Sequence, residues 1–491
     1  MITSALGAAF GLSTFTAATL TYQHRLAISS DTGINVAFNT LGNTTAEATP
    51  VVYYGRSRDD LDMYAIGTSS SYATARSTTH KVPLRDLESD TQYHYQTCLD
   101  VYGSCLRSPT YSFKTAVSAG DHAEYKFAAL GDMGVMGSLG LSSKAPESVE
   151  DFSKLDEGER STMKALIDNQ RKYQFILQNG DFAYADDAGK EITSGFIDRI
   201  PDEPLLQQMS ETYELILEAF FNQTSEFARS VPYMAGVGNH EQLLTRGNMY
   251  TDELTNHTIM VDDIPTGQRN FTFYKDKFYM PGDESGGLGN FWWSVDVGPL
   301  KLIQLNTESD IKDGVPSPGA RRDPALEDYG EPNEQLEWLE NELRSVNRGI
   351  TPWVMISAHR PWYGTWRGCP GCLEAFDELI VKYGVDVVYN SHIHLYERLA
   401  PLANGTVDDN ELNNPRAPWY IVSGAAGHYD GLDDMPDNIA VESRRLIQGE
   451  FGYDEFTIHN RTHLTHAFVA SKNDSVLDIS TLYKTHEYKH D

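Results

Sequence analysis

Five short clusters hold the side chains best able to do chemistry: Gly131-Asp132-Met133-Gly134, Gly180-Asp181-Phe182-Ala183-Tyr184, Gly238-Asn239-His240-Glu241, His359, and Ser391-His392-Ile393-His394. Each follows an apolar run, in order YKFAAL, YQFILQ, VPYMAGV, TPWVMIS and VDVVYN. If these runs are strands, every cluster lies at a strand carboxyl end, the edge where open α/β sheets bind ligands. The glycines before Asp132, Asp181 and Asn239 permit a sharp exit from the strand and close backbone approach.

Taken singly, each cluster has a plain structural role. An Asp after a strand commonly caps a helix or forms a turn, and a lone His is commonly a satisfied surface or interior residue. Two Asp, one Asn and three His gathered on one edge read instead as ligands for two metal ions. Two cations about 3.5 to 4 Å apart need a shared anionic oxygen to offset their repulsion, and phosphoester hydrolases use such a pair to hold the attacking and leaving oxygens. Asp181 is the natural bridge. His392 and His394, two apart on an extended segment, can serve different ions. Asn239 adds a neutral oxygen donor, which preserves Lewis acidity toward an anionic phosphate.

The elements that must position these residues fall into two regions. From about His24 to Thr115 the chain reads as strands only, with HRLAIS, GINVAFNT, PVVYYG, THKVPL, TQYHYQTC and YSFKTA separated by turn residues. This pattern predicts a β-sandwich, and Leu84-Arg85-Asp86-Leu87 followed by Thr91, Tyr93 and Tyr95 looks like the corner of a fibronectin type III domain. From Tyr125 onward strands alternate with helical periodicity, the signature of an α/β layered domain. Further strands are expected at FWWSVDV, KLIQLN and PWYIVS, and helices at TMKALIDNQRK, Gln208 to Arg229, NEQLEWLENELRSV and CLEAFDELIVKYG. The last seventy or so residues return to strands, including DEFTIH, LTHAFVA and SVLDISTLY, expected to complete a second sheet. The division expected is a possible residual leader at 1–21, a sandwich at 22–118 and an α/β unit at 122–491. The first twenty residues are small and apolar but carry no Lys or Arg ahead of the apolar stretch, so they make a defective signal peptide or an unstructured start.

A net charge of -31 repels nucleic acid and anionic membrane at neutral pH, so neither is expected as a partner. A phosphate-bearing substrate then needs a local cationic site, which metal ions supply, and acid conditions would reduce the repulsion. The four cysteines form two close pairs, Cys98 with Cys105 and Cys369 with Cys372, which suits two structural disulfides. Cys369-Pro370-Gly371-Cys372 has a second reading as a redox motif ahead of a helix. Glycosylation sequons begin at Asn43, Asn222, Asn256, Asn270, Asn404, Asn460 and Asn473. With the cysteine pairs they point to an exported glycoprotein, secreted or held in the cell wall or vacuole.

The ordered clusters resemble the calcineurin-like metallophosphoesterase superfamily. Tyr184, three residues after Asp181 in GDFAY, matches the tyrosine that purple acid phosphatases place there as a phenolate ligand. YMPGDESGGLGNFWWSVDVG, CPGCLEAFDELIVKYGVDVVYNSHIHLYER and PWYIVSGAAGHYDGLD look like the fungal branch of that family. The resemblance implies a fibronectin-like sandwich followed by a metallophosphoesterase domain of two β-sheets flanked by helices. It also implies iron(III) on Asp132, Asp181, Tyr184 and His394, and a divalent zinc, iron or manganese on Asp181, Asn239, His359 and His392. A phenolate is a hard donor with a free pKa of about 10, and an ion as acidic as iron(III) is needed to keep it ionised in acid.

The expected activity is hydrolysis of phosphomonoesters by metal-bound hydroxide, with Asp181 and His240 as catalytic residues. His240 corresponds to a family residue that contacts phosphate and can protonate the leaving oxygen; its plainer role is a hydrogen bond behind the ligands. Asn239, His240, Arg360 and Tyr363 are the expected phosphate contacts, because the loop RPWYGTWRGCPGC lacks the extra histidines of the plant enzymes. Trp366 and Arg367 are further candidates in that loop. Glu241 and Glu397 are expected to orient ligands. Ser391 stands where the family commonly has Gly. Two other readings use the same residues: a divalent-metal phosphodiesterase, against which Tyr184 argues, and a non-catalytic glycoprotein that binds metal or phosphate, against which the intact ligand set argues.

Overall fold

A computed structural model describes residues 20–42, 48–143, 154–242, 250–313, 331–434 and 437–486. The stretch 1–19 and the sequon at Asn43 lie outside the described residues.

The first region is a sandwich of two four-stranded antiparallel sheets. One has the order Thr21–Ser30, Gly33–Leu41, Ser77–Leu84, Thr68–Ser70; the other Met63–Ile66, Ala48–Gly55, Gln92–Val101, Tyr111–Lys114. Alternation drives the packing, with Leu26, Ile28, Val36, Phe38, Val52, Val82 and Tyr95 turned into the shared core. The Tyr93 hydroxyl accepts the backbone N–H of Glu88 at 3.0 Å, which is the tyrosine corner anticipated from the sequence. The edge strands Met63–Ile66 and Thr68–Ser70 are short and mostly exposed, so they carry too little apolar pattern to be read in advance.

The second region holds two larger sheets. Tyr125–Leu130, Ile176–Asn179 and Tyr233–Gly236 run parallel, and the C-terminal strands Gly452–Ile458, His463–Ala470 and Val476–Tyr483 continue this same sheet antiparallel. In the other sheet Leu300–Leu305, Trp353–Ala358, Val387–Asn390 and Trp419–Ser423 are parallel neighbours. All four are buried along their whole length or nearly so, as expected of parallel strands covered on both faces. The sheets meet through aromatic contacts such as Tyr389 with Phe456, whose ring centroids are 5.8 Å apart.

The helices Thr162–Asn169, Leu205–Ala228, Glu334–Ser345 and Pro370–Lys382 lie where the sequence periodicity puts them. Leu205–Ala228 buries Met209, Ile216, Leu217, Phe220 and Phe227 along one stripe. Cys98 pairs with Cys105 and Cys369 with Cys372. Cys369 caps the helix Pro370–Lys382, and both cysteines of this disulfide, Cys369 and Cys372, are fully buried, which fits a staple and not an exposed redox motif. No helix among the described residues is long and apolar enough to cross a membrane.

Candidate metal centre

The two large sheets are sewn together at the carboxyl ends of their parallel strands. Asn179, the last residue of its strand, donates to Ala358 O at 2.8 Å and Tyr389 O at 3.2 Å, both in the other sheet. Gln304 donates to Asn179 Oδ1 at 3.0 Å. This fully buried amide network fixes the edges from which the five clusters emerge, so residues up to 262 apart in sequence reach one crevice.

Backbone strain marks the same place. Asp132, Asp181, Ala183, Tyr184 and His392 all have positive φ, between 53° and 71°. Such conformations cost roughly 1 to 3 kcal/mol each for non-glycine residues and persist where the surroundings over-determine them. Ser391, the departure from the family pattern, is accommodated by its neighbour: a Cβ on Gly131 would lie 2.1 Å from Ser391 Oγ. Its N–H still donates to His359 O at 2.8 Å, so the backbone leading to His392 is held.

Seven candidate ligands converge. The Tyr184 hydroxyl donates to Asp132 Oδ1 at 3.1 Å and lies 3.2 Å from His394 Nε2. On the other side, His359 Nε2 is 3.1 Å from Asp181 Oδ2 and 3.2 Å from Asn239 Oδ1. Asp181, His359 and His392 offer ligand atoms within 4.8 Å of one another. Asp132 links the halves, because its Oδ2 accepts the His392 N–H at 2.8 Å. Asp181 Oδ2 and Asn239 Nδ2 are buried without a well-formed hydrogen bond. Such orphaned polar atoms are costly in an interior, and a cation facing Asp181 Oδ2 would satisfy it.

The electrostatics describe a hole for positive charge. Burial alone would disfavour the His359 imidazolium, yet Asp181 outweighs it and raises the group to about 10. Burial likewise opposes charge on His394, and Asp132 again raises it. His392 goes the other way, pushed well down by burial and by the guanidinium of Arg360. Carboxylates that hold protons on neighbouring histidines are those that would hold cations in their place.

Behind the ligands, Glu241 accepts the backbone N–H groups of Asp181 at 3.0 Å, Phe182 at 2.7 Å and Gly238 at 2.6 Å. One carboxylate thereby ties together the loops carrying Asp181 and Asn239. Glu397 does something else: it accepts from Thr365 N and Oγ1, at 2.9 and 2.6 Å, and braces the loop after Pro361.

His240 points its Nδ1 at Asp186 Oδ1, 2.8 Å away, and its Nε2 toward Asp181 Oδ2, 3.9 Å away. Arg360 reaches the rim: Nη1 is 3.2 Å from His392 Nε2, while Nε donates to both oxygens of Glu308 at 2.8 and 3.0 Å. Tyr363 is not brought to the site. Its hydroxyl donates to Asp377 at 3.0 Å and accepts Gly405 N–H at 3.1 Å, in a core packed against Tyr420. The expectation of a phosphate contact at Tyr363 fails because a buried phenol finds its partners within the fold. Arg367 is exposed, 3.8 Å from Glu442.

Sequence reasoning missed Asp186, Glu308 and His428. A signal existed for each. Asp186 lies two residues past Tyr184, Glu308 follows the strand Leu300–Leu305, and His428 follows the strand Trp419–Ser423, so the strand-end rule that found the five clusters covers the last two as well.

Comparison with known proteins agrees with this fold. Three family models match in order along the chain: purple acid phosphatase, N-terminal domain at 21–115, calcineurin-like phosphoesterase at 125–396, and iron/zinc purple acid phosphatase-like protein C at 417–479. Acid phosphatase A of Cryphonectria parasitica is 32% identical over 94% of this chain and 92% of its own length. An acid phosphatase of Aspergillus ficuum is 29% identical over 89% of this chain and 82% of its own. Among solved structures, purple acid phosphatase PPD1 of yellow lupin seeds shares the fold, with a TM-score of 0.69 at 21% identity over 95% of this chain and 75% of that one. The strand-end cluster of candidate ligands, the sandwich ahead of it and these matches lead to one assignment: the chain belongs to the purple acid phosphatase family of calcineurin-like phosphoesterases.

Proposed function

We propose that this chain is an exported acid phosphatase that hydrolyses small phosphomonoesters at an iron(III)–divalent metal centre. The observation that carries this reading is the contact of the Tyr184 hydroxyl with Asp132 and His394, since a phenol set among a carboxylate and an imidazole is a donor set for a hard trivalent ion. Asp132, Asp181, Tyr184 and His394 would hold iron(III), and Asp181, Asn239, His359 and His392 the divalent ion, zinc, iron or manganese. When bound, the pair supplies Lewis acidity to the phosphate oxygens and acidifies water, so that a nucleophile persists in acid.

The chain's own residues complete the work. Arg360, its Nε held by the buried carboxylate of Glu308, presents the rest of its guanidinium toward the crevice, where it can bind phosphate as a fork. In this reading Arg360 takes over from the histidines missing in that loop, supported by its Nη1 lying 3.2 Å from His392 Nε2. His240, steadied by Asp186, turns its other ring nitrogen toward the crevice and can pass a proton to the departing alkoxide. Glu241 keeps Asp181 and Asn239 in register before substrate arrives.

Export is supported by the two disulfides and by the sequons: Asn222, Asn256, Asn404, Asn460 and Asn473 are exposed and Asn270 is half-buried.

Metal analysis together with the visible spectrum and turnover of an activated aryl phosphate tests the proposal. Iron with a second metal, a phenolate charge-transfer band, and loss of that band in Tyr184→Phe are expected. A colourless enzyme with two divalent ions and a preference for diesters would overturn it in favour of a phosphodiesterase. Full turnover and both metals in Asp181→Asn would contradict the ligand assignment itself.

A further inference from the structure

His428 stands in a loop just beyond the strand Trp419–Ser423 and has no part in the scheme above. It is buried, and its ring lies parallel to that of Tyr184, with centroids 3.8 Å apart and planes 4° apart. Its Nε2 is 3.1 Å from His394 Nδ1, the two imidazoles meeting edge to face. One side chain therefore touches two of the candidate iron ligands, one through its face and the other through its edge.

The loop is fixed so that this ring has little freedom. Gly134 N–H donates to Gly427 O at 3.0 Å. A Cβ on Gly134 would lie 2.7 Å from the Cβ of His428, so the glycine of the first motif makes the room in which His428 sits. On the far side His428 Nδ1 lies 3.2 Å from the backbone nitrogen of Asp430. The next two side chains anchor the loop to the segment after Tyr184: Tyr429 donates to Asp187 at 2.8 Å and Lys190 pairs with Asp430 at 2.7 Å. The same segment thus carries both the tyrosine and the clasp that holds His428 on it.

We propose that His428 is a positioning residue of the metal centre, setting the plane of the Tyr184 phenol by stacking and the orientation of His394 through its ring nitrogen. The inference rests on the reading of Tyr184 as an iron ligand. Off-plane phenol donors overlap poorly with a metal, and groups behind the ligands commonly alter metal affinity or activity by about 10- to 100-fold. The face of a stacked ring is electron-rich and raises the energy of a phenolate beneath it. Its removal should move the charge-transfer band to shorter wavelength.

The test uses the full chain loaded with iron and zinc as wild type, Tyr184→Phe, His428→Asn and His428→Phe, each checked for folding by thermal melt. In His428→Asn, which keeps a polar partner for His394 but loses the stack, the band should shift to shorter wavelength. Its kcat should fall about 10- to 100-fold with KM within about twofold. In His428→Phe, which keeps the stack but loses the nitrogen, the band should stay in place while iron is lost faster to a chelator. Two variants are used so that a folding failure in one leaves the test intact. A folded His428→Asn with the wild-type band maximum, or a folded His428→Phe with wild-type iron retention, overturns the proposal. A colourless wild type defeats the iron reading and this inference with it; a coloured wild type that is bleached by Tyr184→Phe isolates a failure to His428 alone.

Discussion

His240 Nδ1 lies 2.8 Å from Asp186 Oδ1, and both groups are buried within the loops that deliver Asp181 and Asn239. A carboxylate behind an imidazole fixes the ring's rotation and steadies the charge the ring would carry, which is the arrangement the proposed proton transfer by His240 requires.

Replacing Asp186 with Asn should therefore lower kcat by about 100-fold for alkyl phosphates, in line with general acid catalysis. Aryl phosphates, whose leaving groups need no proton, should suffer far less. A plot of rate against leaving-group pKa for the two enzymes checks this: the variant's line should be steeper.

Glu241 accepts three backbone N–H groups, and burial together with Asp181 pushes its carboxyl up to about 8. Glu241→Gln brings an amide N–H against those donors. It should lose about 1 to 3 kcal/mol of stability, the usual cost of an unmatched buried polar group, and hold metal about 10- to 100-fold less tightly. Thermal melts and metal retention against a chelator measure the two effects separately.

Arg360→Lys keeps the charge but not the planar fork clasped by Glu308. Loss of one charge-assisted hydrogen bond, about 1.5 to 3 kcal/mol, should raise KM and the inhibition constant for inorganic phosphate roughly 10- to 100-fold. Glu308→Gln should raise both as well, because it frees the guanidinium to swing. Steady-state kinetics with phosphate as inhibitor reads both changes; an unaltered phosphate affinity in Arg360→Lys would remove Arg360 from substrate binding.

In the sandwich, His80 is enclosed between Thr40 Oγ1 at 2.9 Å and Ser69 Oγ at 2.8 Å. Burial lowers its pKa to about 4, with Asp276 opposing and Lys277 assisting. Below about pH 6.5 the unfolded chain binds a proton on this residue that the folded chain refuses until about pH 4, so stability falls as pH drops through that window. The loss attributable to His80 is about 3 kcal/mol. His80→Gln should flatten the dependence of Tm on pH between 6.5 and 4 relative to wild type.

Much of the site was legible before folding was considered, for a specific reason. Strand runs such as YKFAAL and VDVVYN are buried on both faces and so stand out as continuous apolar stretches, and their ends locate Asp132, Asp181, Asn239, His359 and His392 to within two or three residues. Tyr184 was legible through its spacing from Asp181. The sandwich was legible through alternation, apart from two edge strands too short and too exposed to carry a pattern.

Tertiary structure decided what no local pattern encodes. Arg360 and Tyr363 lie three apart in one loop, yet Glu308 holds the first at the crevice while Asp377 draws the second into the core. The partners arrive from 52 residues upstream and 14 downstream, and only the packing of the sheets selects them. His428, quoted in the sequence as one letter of a long motif, gains its meaning from Tyr184 lying 3.8 Å beneath it. The sequence by itself named the candidate metal ligands and the strand edge that presents them. The fold determined how they are braced, because hydrogen bonds and ring contacts across hundreds of residues depend on distances that exist only after the two sheets have packed.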